Sequence, residues 1–279
     1  MRRSAQAGVS ALAGFALAVL LVVAALLDPA EVRAEETAQA DITPHRGIYR
    51  LELLRSRSSS GIIGTTGTAY FEWARSCEGY LVNQHVSMRL ALAEGHASVA
   101  VLTFSSLESF DGRRMSFRMR QIAEGVVTEE LEGEAELAAA GSGVARFSSP
   151  EQTEIALPPG TLLPTEYTRH ALAAMIAGAP LYSGTLFDGS TADGAYHVAT
   201  FFGAQTSRPV PGGKPGEEEP FWNSRAGYFE AGSEDAEPLF EVGSLVNAGG
   251  VAAWFDLDYG NFSVRAALVE YERLPDPAC

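Results

Sequence analysis

The sequence predicts a mainly β protein with a single helix, on three observations. Apolar residues recur at every second position over long stretches. Gly, Asp-Gly and Asn-rich turns bound those stretches, and only one segment carries a helical pattern. In RRMSFRMR, Met115, Phe117 and Met119 face one way while Arg114, Ser116, Arg118 and Arg120 face the other. A strand half-buried on a core reads this way, because successive side chains point to opposite faces.

In chain order, HRGIYRLELL alternates Tyr49, Leu51 and Leu53 with Arg50 and Glu52. GTAYFEWA, GYLVNQHVSMRLAL, SVAVLTFSS, YHVATFFG and PLFEVGSL read as further strands, and VAAWFDLDY with FSVRAALVEYERL as a last long pair. Asp111-Gly112 and Asp188-Gly189, both within Phe-Asp-Gly, read as hairpin turns. GIIGTTG reads as a cluster of β-turns, since a phosphate loop needs a Lys-Ser/Thr pair and a following helix. The exception is LPPGTLLPTEYTRHALAAMIAGAP. Thr165 is an N-cap candidate, Glu166 lies in the first turn, and Gly178 and Pro180 stop the run. These signals predict one helix over about 165–178, suited to covering the apolar face of a curved sheet. RPVPGGKPGEEEP, which carries the only lysine, Lys214, reads as a loop.

The chain opens with Arg2 and Arg3, followed by 19 uncharged residues from Val9 to Leu27. Val32-Arg33-Ala34 places cleavage after Ala34, and Ala38-Gln39-Ala40 is a second candidate. The expected organisation is a signal peptide at 1–34, a disordered polar lead at 35–44 and a single β domain at 45–279. The apolar run exceeds the usual signal core of about 7–15 residues. It nearly reaches the ~20 of a membrane span, so an uncleaved anchor is the alternative. Either outcome puts the body outside the cytoplasm, in the periplasm. No cysteine follows the apolar run, so the lipoprotein pattern is absent.

The formal charge of −15 disfavours phosphate backbones, and nucleic acid is a poor partner. Hydrophobic residues at 46% and charged residues at 20% describe a globular chain rather than a disordered one. Only two cysteines occur, Cys77 and the terminal Cys279. A pair so far apart suits a disulfide, two buried thiols or a redox couple. An oxidising compartment makes the disulfide the default, with two unpaired thiols the alternative.

No constellation reaches a catalytic claim. G-x-S-x-G is absent, and His45, His85, His96, His170 and His197 show no metal-ligand spacing, so no metal or cofactor is expected. Asp256 and Asp258 share one strand face, as do acids in glycosidase or calcium sites. Phe255, Leu257 and Tyr259 on the other face make an ordinary solvated face the simpler account. The stripe of Arg113, Arg114, Arg118 and Arg120 is cationic on an anionic protein. It reads as a solvated strand face or, at Arg114, Arg118 and Arg120, as a binding face for an acidic partner or lipid headgroup.

The blocks HRGIYRLEL, YFEWARSCEGYLVNQ, LESFDG, LPPGTLLPT, FDG and LDYGNFSVRAALVEYERLPDPAC occur in that order from His45 to Cys279. As an ordered set they resemble the EipB-like cell-envelope integrity proteins of the bacterial periplasm. The resemblance implies long antiparallel strands wound into a spiral or broken β-barrel. It also implies a disulfide between an early cysteine and a C-terminal one, the places of Cys77 and Cys279. The implied role is envelope integrity without a known reaction, through contact with a periplasmic protein of the tetratricopeptide-repeat class. The chain departs from the family pattern at Leu107, where tryptophan is common, and at Tyr167, where histidine is. The expected function is therefore a non-enzymatic envelope protein acting through protein contacts. The alternative is a carrier of lipid or another apolar ligand, since a curved sheet with a helix can enclose an apolar cavity.

Overall fold

The computed structural model describes residues 40–139, 141–233 and 236–279. The leader, with its expected cleavage or anchoring, and residues 35–39 of the lead lie outside the described residues. Among the described residues, fifteen strands and one α-helix follow one another. The first group is β1 (His45–Ser56), β2 (Ile62–Arg75), β3 (Gly79–Leu92), β4 (Ala97–Ser109), β5 (Arg114–Ala123), β6 (Val126–Leu137), β7 (Gly143–Ser149) and β8 (Thr153–Leu157). The second is β9 (Thr161–Leu162), α1 (Pro164–Ile176), β10 (Leu181–Leu186), β11 (Tyr196–Pro209), β12 (Glu218–Glu230), β13 (Phe240–Asn247), β14 (Ala252–Asp258) and β15 (Phe262–Arg273).

All strands belong to one sheet, ordered β8-β7-β6-β5-β4-β3-β2-β1-β15-β14-β13-β12-β11-β10-β9. Neighbours are antiparallel, except the short parallel contact of β9 with β10. The chain thus meanders outward from β1 to β8, turns, and meanders back from β9 to β15, which pairs β1. A sheet this long curls under its own twist, and here it forms a nearly closed barrel. The closure is visible in the packing. Phe117 of β5 meets Phe187, which follows β10, with ring centroids 5.7 Å apart, although many strands separate them in sheet order.

The alternation read from RRMSFRMR sets the core. Met115, Phe117 and Met119 are buried, at most 3% exposed, while Arg114, Arg118 and Arg120 are exposed. Around Phe117 gather Leu131, Phe147, Leu157, Leu163 and Phe187. Gly133 lies directly opposite Phe117, where an added Cβ would come 2.8 Å from its ring. Gly189, at φ +73°, turns the chain on the ring's other side, and a Cβ there would be 2.6 Å away. Glycine is needed at both places because the ring fills the space a side chain would take.

Several expectations are corrected. Residues 40–44 are not a loose lead. Ala40 and Ile42 are buried against Trp73, Leu172 and Met175, the Ala40 N–H donates to the Arg169 carbonyl, and the Thr43 N–H to that of Gly249. Their alternate small and apolar residues find a pocket that composition does not reveal. GIIGTTG is mostly strand: Ile62 to Gly67 open β2 and pair β3 as far as Leu92. The expected loop shortens, because Pro209 closes β11 and Glu218 to Pro220 begin β12. Strands β6 to β10 and β12 lie outside the predicted set. On β6 the inner face is built partly from Gly133 and Ala135, so apolar alternation is faint.

The helix agrees with the expected segment, but its start differs. Leu163 is the N-cap, extended and without a side-chain cap bond, Pro164 occupies the first turn, and Thr165 is inside the helix. Proline there loses nothing, because the first N–H groups of a helix lack intrahelical partners. The missing acceptor comes from β4. Glu108, 2% exposed, takes the N–H of Thr165 at 2.8 Å and of Glu166 at 3.3 Å.

Candidate functional site

Cys77, in the turn between β2 and β3, is bonded to Cys279, with Cα atoms 5.7 Å apart. Other bonds gather there. Arg75 pairs with Asp41 and with Asp276, and the Leu274 N–H donates to the Pro44 carbonyl. Both ends of the described chain are thereby tied to one turn.

Arg114, Arg118 and Arg120 project from β5 opposite Glu136, Glu132 and Glu130 of β6, and Arg118 bonds Glu132 at 2.6 Å. Arg146 of β7 continues the ladder to Glu154 at 3.0 Å and Glu136 at 3.6 Å. The sequence presents the arginines and the glutamates as separate runs, and only the register brings them together. Asp256 holds Arg265 through two 2.6 Å bonds, and Arg265 lies 4.3 Å from the centre of the Trp254 ring. Asp258 bonds Arg55 at 2.7 Å and Arg225 at 3.3 Å, while Arg225 also holds Glu241 at 2.5 Å. These acids are ion-paired strand residues. Among the described residues no three His, Cys, Asp or Glu side chains converge as a metal site would require.

His45 and His170 have structural partners. His45 is buried, its Nδ1 2.8 Å from the Thr43 carbonyl, and burial lowers its pKa. His170 stands 3.2 Å from the Tyr182 hydroxyl. Of the two departures from the family pattern, Tyr167 points inward. Its hydroxyl donates to the Val198 carbonyl at 3.3 Å and lies 3.0 Å from Thr200 Oγ1. Burial pushes its pKa up to about 12. Leu107 sits between the inward Ser106 and Glu108 and lines a shallow outer groove.

The interior holds a cavity of about 750 Å³ between the sheet and α1. A volume of this size falls within the ~300–1,000 Å³ of small-ligand sites. Tyr49 and Leu51 of β1, Phe71 and Trp73 of β2 and Phe255 of β14 contribute to its wall, and Leu172 and Met175 face it from the helix. These positions are every second residue of their strands, so the alternation that builds the packed core also builds the cavity wall. The Trp73 indole N–H is buried without an acceptor among the described residues. Asp188, from the loop after β10, also reaches the cavity, and burial raises its pKa. Neither Asp188 nor Glu108 is marked by local sequence. Asp188 stood out only as half of an Asp-Gly turn, and Glu108 only inside LESFDG.

The comparisons with known proteins agree with this architecture. The profile of the EipB-like family matches residues 36–275. The chain is 29% identical over 247 residues to the cell envelope integrity protein EipB of Brucella abortus (strain 2308), covering 86% of this chain and 87% of that one. It is also similar to the crystal structure of a β-barrel-like protein, a domain of unknown function from Brucella abortus. That likeness has a TM-score of 0.77 at 28% identity, over 85% of this chain and all of the other. With a match spanning the whole described barrel and the helix inside it, the chain belongs to the EipB-like family.

Proposed function

We propose that this chain is a non-enzymatic periplasmic protein that supports cell-envelope integrity through contacts with a protein partner, with the Cys77–Cys279 bond holding its ends together. The observation that carries this reading is the family relationship over residues 36–275 to a cell envelope integrity protein. The partner is a periplasmic protein, and the family resemblance favours one of tetratricopeptide-repeat architecture. The contact surface we assign is the outer face of β5, where Arg114, Arg118 and Arg120 stand exposed. The test is a strain producing the triple variant Arg114→Gln, Arg118→Gln, Arg120→Gln in place of the native protein. Expected are weaker cross-linking to the partner in cells and sensitivity to detergents and cell-wall antibiotics. The melting temperature should barely move, because exposed ion pairs are worth about 0–1 kcal/mol. Unchanged cross-linking would make the stripe a solvated face that serves only β6.

The cavity favours a second reading, a periplasmic carrier of an apolar ligand. Native mass spectrometry of protein taken from the periplasm distinguishes the two. A co-purifying acyl chain supports the carrier, and its absence supports a role through protein contacts alone.

A further inference from the structure

The polar groups of the cavity are arranged asymmetrically. Among the described residues, the carboxylates that line it are Asp188, Glu241 and Asp258, and no arginine or lysine does. Glu241 and Asp258 are already matched by guanidinium groups, Arg225 for both and Arg55 for Asp258. Asp188 is not. Its Oδ1 accepts the Ser190 N–H at 2.9 Å, the Ser190 hydroxyl and its own N–H also face it, and its titratable neighbours Tyr196 and Tyr228 are phenols that bring no cation. A carboxylate drawn partly out of water without a cation keeps a cost that neutral donors offset only in part. The apolar wall opposite, with Leu51, Phe71, Val86 and Phe255, offers nothing of that kind. A second polar group of the cavity is an unmet donor, which the oxygen of a hydroxyl head could accept from and an ammonium could not. The Trp73 N–H, 4% exposed and without an acceptor, lines the same cavity.

Resting on the carrier reading, we propose that the cavity takes an alkyl-chain amphiphile whose head is a hydrogen-bond donor without negative charge, an ammonium or a hydroxyl, with Asp188 as its acceptor. The apolar wall takes the chain, and the burial of methylene groups supplies most of the affinity. The head is chosen by charge. A carboxylate or phosphate entering the cavity would meet acids and no free cation, in a medium where Coulomb repulsion is poorly screened. An ammonium would complete the ion pair that Asp188 lacks, and a hydroxyl would donate one hydrogen bond.

The test titrates the purified, disulfide-bonded protein near neutral pH with dodecylamine, dodecanol and dodecanoate, each below its aggregation limit, by calorimetry. Dodecylamine and dodecanol should bind, and dodecanoate should bind at least about tenfold more weakly than the amine. Asp188→Asn should weaken dodecylamine by about tenfold while leaving dodecanol within a few-fold. Val86→Trp, which fills the cavity, should weaken all three, and a melting curve checks that it folds. Dodecanoate binding as tightly as dodecylamine, or an Asp188→Asn protein with the original ranking, overturns the head assignment and leaves the carrier reading standing. Amine binding that survives in a folded Val86→Trp protein is adsorption to an acidic surface and also overturns it. If none of the three binds and no acyl chain co-purifies, the carrier reading itself falls.

Discussion

The wall around β5 and the wall around β3 and β14 are built on the same alternation and enclose different interiors. Along β5 every second residue is sealed, because Leu163 and Phe187 arrive from the other end of the sheet and meet them. Along β3 and β14 the inward residues Val82, Val86, Met88, Phe255 and Leu257 stay half-buried, because they look into the cavity. A period of two says which face a side chain takes. It does not say whether anything stands opposite.

That contrast can be broken most severely at Phe117. Its ring packs on Phe147 at 5.4 Å and Phe187 at 5.7 Å, so Phe117→Ala should leave a void. The expected cost is about 3–5 kcal/mol, a fall in melting temperature on the order of 10 °C. Val86→Ala removes methyl groups that already face open space and should cost roughly 1 kcal/mol. Equal losses in thermal melts would abolish the distinction between the two walls.

The disulfide sharpens the same comparison, since it joins strands of the cavity wall rather than those of the sealed wall. Cys77 and Cys279 join the β2–β3 turn to the chain end beyond β15. Serine at either position should cost about 2–4 kcal/mol, and the double variant no more than either single one. Hydrogen exchange should accelerate in β1, β2 and β15 before β5 and β7. Acceleration that begins in β5, or single variants that differ from each other, would contradict this account.

A smaller effect than that of the disulfide is expected at Glu108, where β4 meets the helix that bounds the cavity. Burial raises its pKa from 4.5 to about 7, against the opposing pull of the Thr165 and Glu166 N–H groups. The folded protein therefore holds a proton that the unfolded chain releases between those values. The contribution to stability is full below pH 4.5, falls as pH rises toward 7, and then stays level. Relative to Glu108→Gln, the native protein should lose roughly 1–3 kcal/mol over that window. Chemical denaturation at several pH values measures it. A constant difference between the two proteins would mean that Glu108 does not titrate there.

Much of the fold was legible because it is written at short range. The faces of β5, the long last pair β14 and β15, and the α1 segment each follow from spacing within a dozen residues. The blind spots have separate causes. On β6 the inner face uses Gly133 and Ala135 to make room for Phe117, so its apolar signal is erased by the packing it serves. The helix cap failed as a local reading because Glu108 lies 57 residues before Thr165. The arginine stripe reads from sequence as an isolated cationic run, and only the register shows that Glu132 on the next strand bonds Arg118.

By itself, then, the sequence determined a mainly β chain with one helix, an acidic body and a lone pair of cysteines suited to an oxidising compartment. Those properties depend on period, composition and count, which need no knowledge of distant neighbours. Tertiary structure alone decided that β8 and β9 come to the two ends of one curled sheet, that Glu108 caps α1, and that part of the inner face is left around a cavity with Asp188 in its wall. Each of these depends on what a side chain meets across the barrel, and that is set by the twist and closure of the sheet rather than by any stretch of the chain.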